Sequence, residues 1–200
     1  MKKVERLRRL KLDGEEVAEV DYSCLHVSML YARRGVGYVD DAYRVYPEGD
    51  PRNAIVRKSA KRALLAALNC DGGLPGAASV VRKKMMAKGG RKTVRRFEAV
   101  IGESVYEMVV RLASLHPTIR DVLGTGIWGT CQRWDSDLMV RVLVECVRTD
   151  MAVLPIHDSL LCPASRADEA MSIMRRCYRD EFGFDIEVKK VEPSEVEEEE

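Results

Sequence analysis

Apolar positions change their period several times along the 200 residues, and those changes divide the chain into elements. Asp13-Gly14 is the favoured pair for a two-residue hairpin turn, so Leu7–Leu12 and Glu15–Asp21 are expected as the two arms of a β-hairpin. From Tyr22 to Arg34 apolar residues recur at Leu25, Met29, Leu30 and Ala32, the spacing of a helix that Gly35 ends. Residues 35–52 show no period and read as a loop. Helical spacing returns at Ala54–Asn69, Ala77–Ala87, Lys92–Ile101 and Ser104–Ser114, with a Gly/Pro loop at Cys70–Gly76. Pro117 opens a short helix, broken by Gly124, Gly126 and Gly129. Arg133–Asp150 is a long amphipathic helix with Leu138, Val142, Leu143 and Val147 on one side. Met151–Ile156 and Ser159–Cys162 are apolar runs separated only by His157-Asp158, which predicts a tight hairpin with Asp158 at its turn. Ser165 is placed to cap a helix reaching Phe182, Gly183 ends it, and Phe184–Val191 alternates as a last strand.

This order predicts the α+β class: a small antiparallel sheet packed by helices, with a helical insert between its early and late strands. The expected divisions are an α+β domain at 1–51 and 130–191, the insert at 52–129, and an acidic, disordered tail at 192–200. No apolar run is long enough to cross a bilayer, so no membrane association is expected. The first ten residues carry charge without an apolar segment behind them, unlike a signal peptide. The six cysteines form no C-x-x-C pair and read as reduced thiols of a cytoplasmic protein.

The formal charge of +1 conceals an uneven distribution. Between Arg52 and Arg96 thirteen Lys/Arg residues face one acid, Asp71. Concentrated positive charge is the footprint of phosphate-backbone binding. Arg82, Lys83, Lys84, Lys88, Arg91, Lys92, Arg95 and Arg96 are the expected phosphate contacts; the alternative for such a run is a solvated helix face.

Two aspartates carry candidate chemistry. Asp21 ends a strand and Asp158 lies in a hairpin within an otherwise apolar run. Each has a routine alternative, capping a helix or making a turn. Brought together at a sheet end they would repel unless divalent cations sat between them. Mg2+ takes few carboxylates and completes its shell with water and substrate phosphate. Two such ions about 4 Å apart clamp the attacking and leaving oxygens of an in-line displacement. Arg57 and Lys61, four residues apart on one helix, would then neutralise a triphosphate.

The ordered triple E-V-D-Y-S-C-L-H-V-S-M-L-Y-A, R-K-S-A-K-R-A-L-L-A-A-L-N and L-P-I-H-D-S-L-L resembles the three signature motifs of family A DNA polymerases and the related single-subunit phage-type RNA polymerases. The D-Y-S…H-D-S plan is similar to that of a group of short bacterial proteins. The resemblance implies a polymerase-palm-like sheet and a fingers-like basic insert. It implies Asp21 and Asp158 as ligands of two Mg2+ (or Mn2+) ions, with the Tyr22 backbone carbonyl beside them. Arg57 and Lys61 would hold the incoming nucleoside triphosphate, His26 and Asn69 would stand at nucleotide-facing positions, and His157 would lie near the primer terminus. Q-R-W-D-S-D-L-M resembles the helix that feeds the third motif, with Asp135 and Ser136 matching loosely. The chain departs from the DNA polymerases at His26, where they place a Glu, and at Leu65 and Asn69, where they have an aromatic residue and a Tyr. Cys70 stands in place of a Gly, and Ser159 follows the last Asp as in the RNA polymerases. With twenty residues before Asp21, no thumb or exonuclease domain is expected, and a partner protein would have to supply the grip on a DNA or RNA primer–template.

The function expected is thus a template-directed nucleotidyltransferase, a minimal family A-like DNA polymerase. One alternative is a catalytically degenerate, polymerase-like nucleic-acid-binding protein. A second is a metal-dependent phosphohydrolase using His116, His157, Asp158 and Asp168. Trp128 and Trp134 are expected in packing rather than base stacking, and Met29, Tyr31 and Met139 in the core.

Overall fold

The structure is a computed structural model that describes residues 3–38 and 40–191. The tail at 192–200 lies outside the described residues. The fold is α+β and its described residues divide into two compact units, one formed by 3–38 with 132–191 and the other by Asp40–Cys131.

The first unit begins with α1 (Lys3–Arg9), β1 (Lys11–Leu12) and β2 (Glu15–Tyr22). Asp13 and Gly14 both take positive φ, 52° and 82°, as a type I′ turn demands, and Leu12 pairs with Glu15 across it. The hairpin is therefore present, but its first arm is short: Leu7, Arg8 and Arg9, expected as strand, belong to α1. After α2 (Leu25–Ala32), the chain leaves this unit and returns along α6 (Trp128–Arg148). Then come β3 (Leu154–Ile156), β4 (Ser159–Pro163), α7 (Ala167–Phe182) and β5 (Val188–Lys190). The final strand is shorter than its alternating sequence suggests.

All the pairings are antiparallel, and β2 is the central strand. It pairs with β4 along one edge and with β1 and β5 along the other. Because side chains alternate, β2 shows two faces. Ala18, Val20 and Tyr22 join Leu160 and Cys162 of β4 in the core. Met29 of α2, Leu138 and Val142 of α6, and Ile173, Met174 and Tyr178 of α7 complete that core. Val17, Glu19 and Asp21 point to the opposite face. Tyr22 is fixed by burial and by its hydroxyl, which donates to the Met174 carbonyl at 2.7 Å; burial pushes its pKa up.

The second unit is helical: α3 (Arg52–Asn69), α4 (Gly73–Ile101) and α5 (Val105–Ser114), followed by a 3-10 turn at Pro117–Val122. Helix α4 begins earlier than expected, inside the Gly/Pro stretch, and it breaks where two helices were foreseen. Gly89 and Gly90 leave helical geometry there, Gly90 with φ 66° and ψ −165°, a conformation only glycine adopts readily. Ser104 caps α5 reciprocally: its hydroxyl accepts from the Glu107 N–H, and the Glu107 carboxylate accepts from the Ser104 N–H. His116 is buried, its Nε2 3.0 Å from the Ala42 carbonyl, so it ties the 40–51 loop to this unit. The six cysteines form no disulfide among the described residues. Among the described residues no helix is long and apolar enough to cross a membrane.

Candidate functional site

The β3–β4 hairpin forms because two apolar runs flank a pair of residues that tolerate a tight turn. Ile156 pairs with Ser159, leaving His157 and Asp158 as a two-residue loop. His157 takes φ 54°, a left-handed conformation uncommon for a residue with a side chain. The exposed imidazole thus sits at the tip, and Asp158 follows it, half-buried.

Asp21 is the last residue of β2 to pair with β4, and its partner is Ser159. Directly opposed residues on antiparallel strands have Cα atoms about 4.5–5.5 Å apart. Asp158, one residue before Ser159, therefore stands just beyond the last β2–β4 pair, at the end of the ladder where Asp21 lies. On its other flank Asp21 pairs with Lys189 of β5, whose exposed side chain shares its face.

Burial raises the carboxyl pKa of Asp158, and the charge of Asp135 raises it further, while His26 and His157 pull it down. Asp135, on α6, carries its Oδ2 3.4 Å from Nε2 of His26, near the start of α2. The other oxygen of Asp135, Oδ1, is buried and accepts no hydrogen bond. Asp158 thus lies in the field of Asp135, and its turn begins where the ladder that holds Asp21 ends. A half-buried carboxylate such as Asp158 is the kind of hard donor a divalent cation takes, and Mg2+ needs only one or two of them when substrate phosphate completes its shell. Among the described residues no group of three His, Cys, Asp or Glu side chains is arranged to hold a metal ion by itself.

On the second unit, Arg57, Lys61, Leu65 and Asn69 recur every fourth residue of α3 and are all exposed, so they form one stripe. The opposite side of the helix (Val56, Ala60, Ala63, Leu64, Ala67) is buried. Arg57 is ion-paired with Asp41 and lies 5.7 Å from the Tyr43 ring. The eight basic residues of α4 are all exposed on either side of the glycine break. One of them, Arg82, is drawn across that break to Glu98 at 2.9 Å.

His116 belongs to the second unit, whereas Asp158 belongs to the first. Asp168 is exposed in the first turn of α7. Trp134 packs partly buried against the core with Arg33 5.1 Å over its ring, and Trp128 is exposed.

Two residues at the sheet end escaped the sequence reading as site residues. Asp135 stood out only through its loose motif match. Glu19 sits in E-V-A-E-V-D, where alternation suggests a solvent-facing acid, yet it is 2% exposed. Its Oε1 accepts from the Ser159 hydroxyl at 3.0 Å, and its Oε2 is 3.5 Å from Arg6 Nη2.

No family model matches the chain, and no curated protein matches it either. Among solved structures the chain is similar to the POL domain of Pol1 from M. smegmatis in complex with a DNA primer-template and dNTP, at 14% identity and a TM-score of 0.46. That likeness covers 92% of this chain and 41% of the other, so this chain spans well under half of that polymerase domain's length.

Proposed function

We propose that the protein is a template-directed nucleotidyltransferase that adds nucleotides to a nucleic-acid primer, with two Mg2+ ions (or Mn2+) held by Asp21 and Asp158. The observation that carries this reading is the pairing of Asp21 with Ser159, which makes the two aspartates neighbours at one sheet end although they are remote in sequence. Divalent cations bound there would supply the charge that clamps the attacking and leaving oxygens of an in-line phosphoryl displacement.

The remaining roles belong to the chain itself. Asp158, in its half-buried turn, would serve as a ligand in its carboxylate form, which a bound cation would favour against the burial that raises its pKa. Tyr22, anchored through its hydroxyl, holds its backbone carbonyl beside Asp21. Arg57 and Lys61 take the charge of the nucleotide's phosphates, for which Arg57 exchanges its Asp41 partner. By their motif positions His26 and Asn69 are assigned to the nucleotide and His157 to the primer terminus. The exposed basic residues of α4 contact the phosphate backbone without reading sequence.

One observation favours a second reading, a nucleic-acid-binding protein that performs no transfer. Arg57 is engaged by Asp41, which occupies the charge that a nucleotide's phosphates would need. Primer extension separates the two. An annealed primer–template is incubated with Mg2+ and, in separate reactions, dNTPs or NTPs. Products longer than the primer support transfer and report the sugar preference; retention of the duplex without extension supports the second reading.

A further inference from the structure

Asp158 stands one residue beyond the last β2–β4 pair. Strand ends are where ladders open first, so something must hold this end closed if Asp158 is to keep a fixed distance from Asp21. Pairing between β2 and β4 ends at Ser159, and beyond it the turn is held only by the Ile156–Ser159 pair of its own hairpin. The side chains on the face opposite the core provide another link.

Ser159 is 4% exposed, and its hydroxyl lies within reach of two acceptors, Glu19 Oε1 at 3.0 Å and the Ile156 carbonyl at 2.9 Å. A hydroxyl donates one proton, so only one of these bonds is made at a time. The Ile156 bond closes the turn within the hairpin. The Glu19 bond is of a different kind, because it crosses from β4 to β2 on the diagonal: Glu19 itself pairs with Leu161. Helix α1 supplies Arg6 to the same carboxylate at 3.5 Å, which supports its charge in a place where a lone carboxylate would be costly.

We infer that Glu19 is a positioning residue for Asp158, acting through the Ser159 hydroxyl, which it draws toward β2 so that the end of the ladder stays closed. The inference rests on the two-aspartate reading for its functional meaning, while the link itself is a property of the hairpin. Outer-sphere partners of metal ligands commonly change metal affinity by about 10–100-fold, and a contact one residue removed from the ligand belongs at the lower end of that range.

The test uses the full chain and two readouts. Mn2+ binding is titrated by electron paramagnetic resonance, and amide hydrogen exchange is measured at residues 156–159. The variants are S159A, which removes only the hydroxyl, S159T, which keeps it, and E19A. The expected result is Mn2+ binding weakened about tenfold in S159A and E19A, faster exchange at Asp158 and Ser159 in both, and both properties retained in S159T. A lowered melting temperature with unchanged Mn2+ affinity would make Glu19 a structural residue only and overturn the inference. Should wild type bind no Mn2+, the metal reading fails, and exchange alone decides: faster exchange in the variants sustains the link, and unchanged exchange overturns it. Should E19A not fold, the contrast between S159A and S159T decides by the same two readouts.

Discussion

Asp21 lies directly across the β2–β4 ladder from Ser159, the residue that follows Asp158. That single register assignment joins two aspartates separated by most of the chain. A slip of one residue would send every side chain of β4 to the other face. Ser159 and Leu161 would then enter the core in place of Leu160 and Cys162, so the core that sets the register also sets which residues of β4 stand beside Asp21.

The register should therefore be sensitive to the core residue beside the turn. Leu160 is completely buried. Leu160→Ala should cost about 2–5 kcal/mol, combining lost transfer energy with the cavity left behind. Urea unfolding followed by circular dichroism measures it, with an unchanged m-value expected if unfolding is two-state.

The second unit has a separable local stabiliser. Ser104→Ala removes the acceptor for the Glu107 N–H and breaks the reciprocal cap of α5. The expected cost is about 1 kcal/mol. Ser104→Asp, which keeps a capping acceptor, should retain most of the stability in the same unfolding experiment.

His116 should make the second unit sensitive to acid. Burial lowers its pKa below the ordinary 6.5, against a smaller opposing effect from the hydrogen bond to Ala42 and the charge of Asp40. The folded state thus binds fewer protons than the unfolded state just below that value. Stability from the neutral imidazole is fully present above pH 6.5 and is lost as pH falls through the folded-state pKa. Melting temperatures between pH 7.5 and 4.5 should fall less steeply for His116→Gln than for wild type. Parallel curves would show that His116 does not contribute this dependence.

The basic face of α4 should bind nucleic acid through backbone charge. Lys88→Ala and Lys92→Ala, both at exposed positions, should weaken binding similarly for unrelated sequences. Each should reduce the slope of log K against log salt by about one if its side chain contacts one phosphate. Fluorescence anisotropy with labelled duplexes at several salt concentrations provides the measurement. Unchanged slopes would make these lysines a solvated face.

What the sequence revealed followed from local signals. The β3–β4 hairpin was legible because two apolar runs flank His157-Asp158, and the break in α4 because two glycines interrupt a helical period. The strand expected from Leu7 was misread because the alternation there is short and the Asp13-Gly14 turn suggested a longer arm. In the structure Arg6 belongs to a helix that reaches Glu19, and tertiary pairing overrides the local pattern. Glu19 itself was illegible for the same reason. An acid in an alternating strand reads as solvent-facing until the element that covers it is known. Asp135 gave a faint signal, since its role depends on a helix bringing it near His26 across more than a hundred residues.

Asp158 should be a destabilising residue in the absence of cations. Its raised pKa means that the neutral acid favours the folded state and that this contribution is lost as pH rises through the folded-state pKa. Asp158→Asn should therefore match or exceed the melting temperature of wild type at pH 7 without metal. Adding Mg2+ should raise the melting temperature of wild type more than that of the variant. Equal shifts in the two proteins would place cation binding elsewhere.

The measurement that bears most directly on the central claim is nucleotide incorporation by wild type, Asp21→Asn and Asp158→Asn on the same primer–template with Mg2+, each protein first shown to be folded. The account predicts primer extension by wild type and its loss in both variants, since each removes one of the two carboxylates. Extension that survives both substitutions, or its absence from wild type under conditions where the protein binds the duplex and Mg2+, would contradict it.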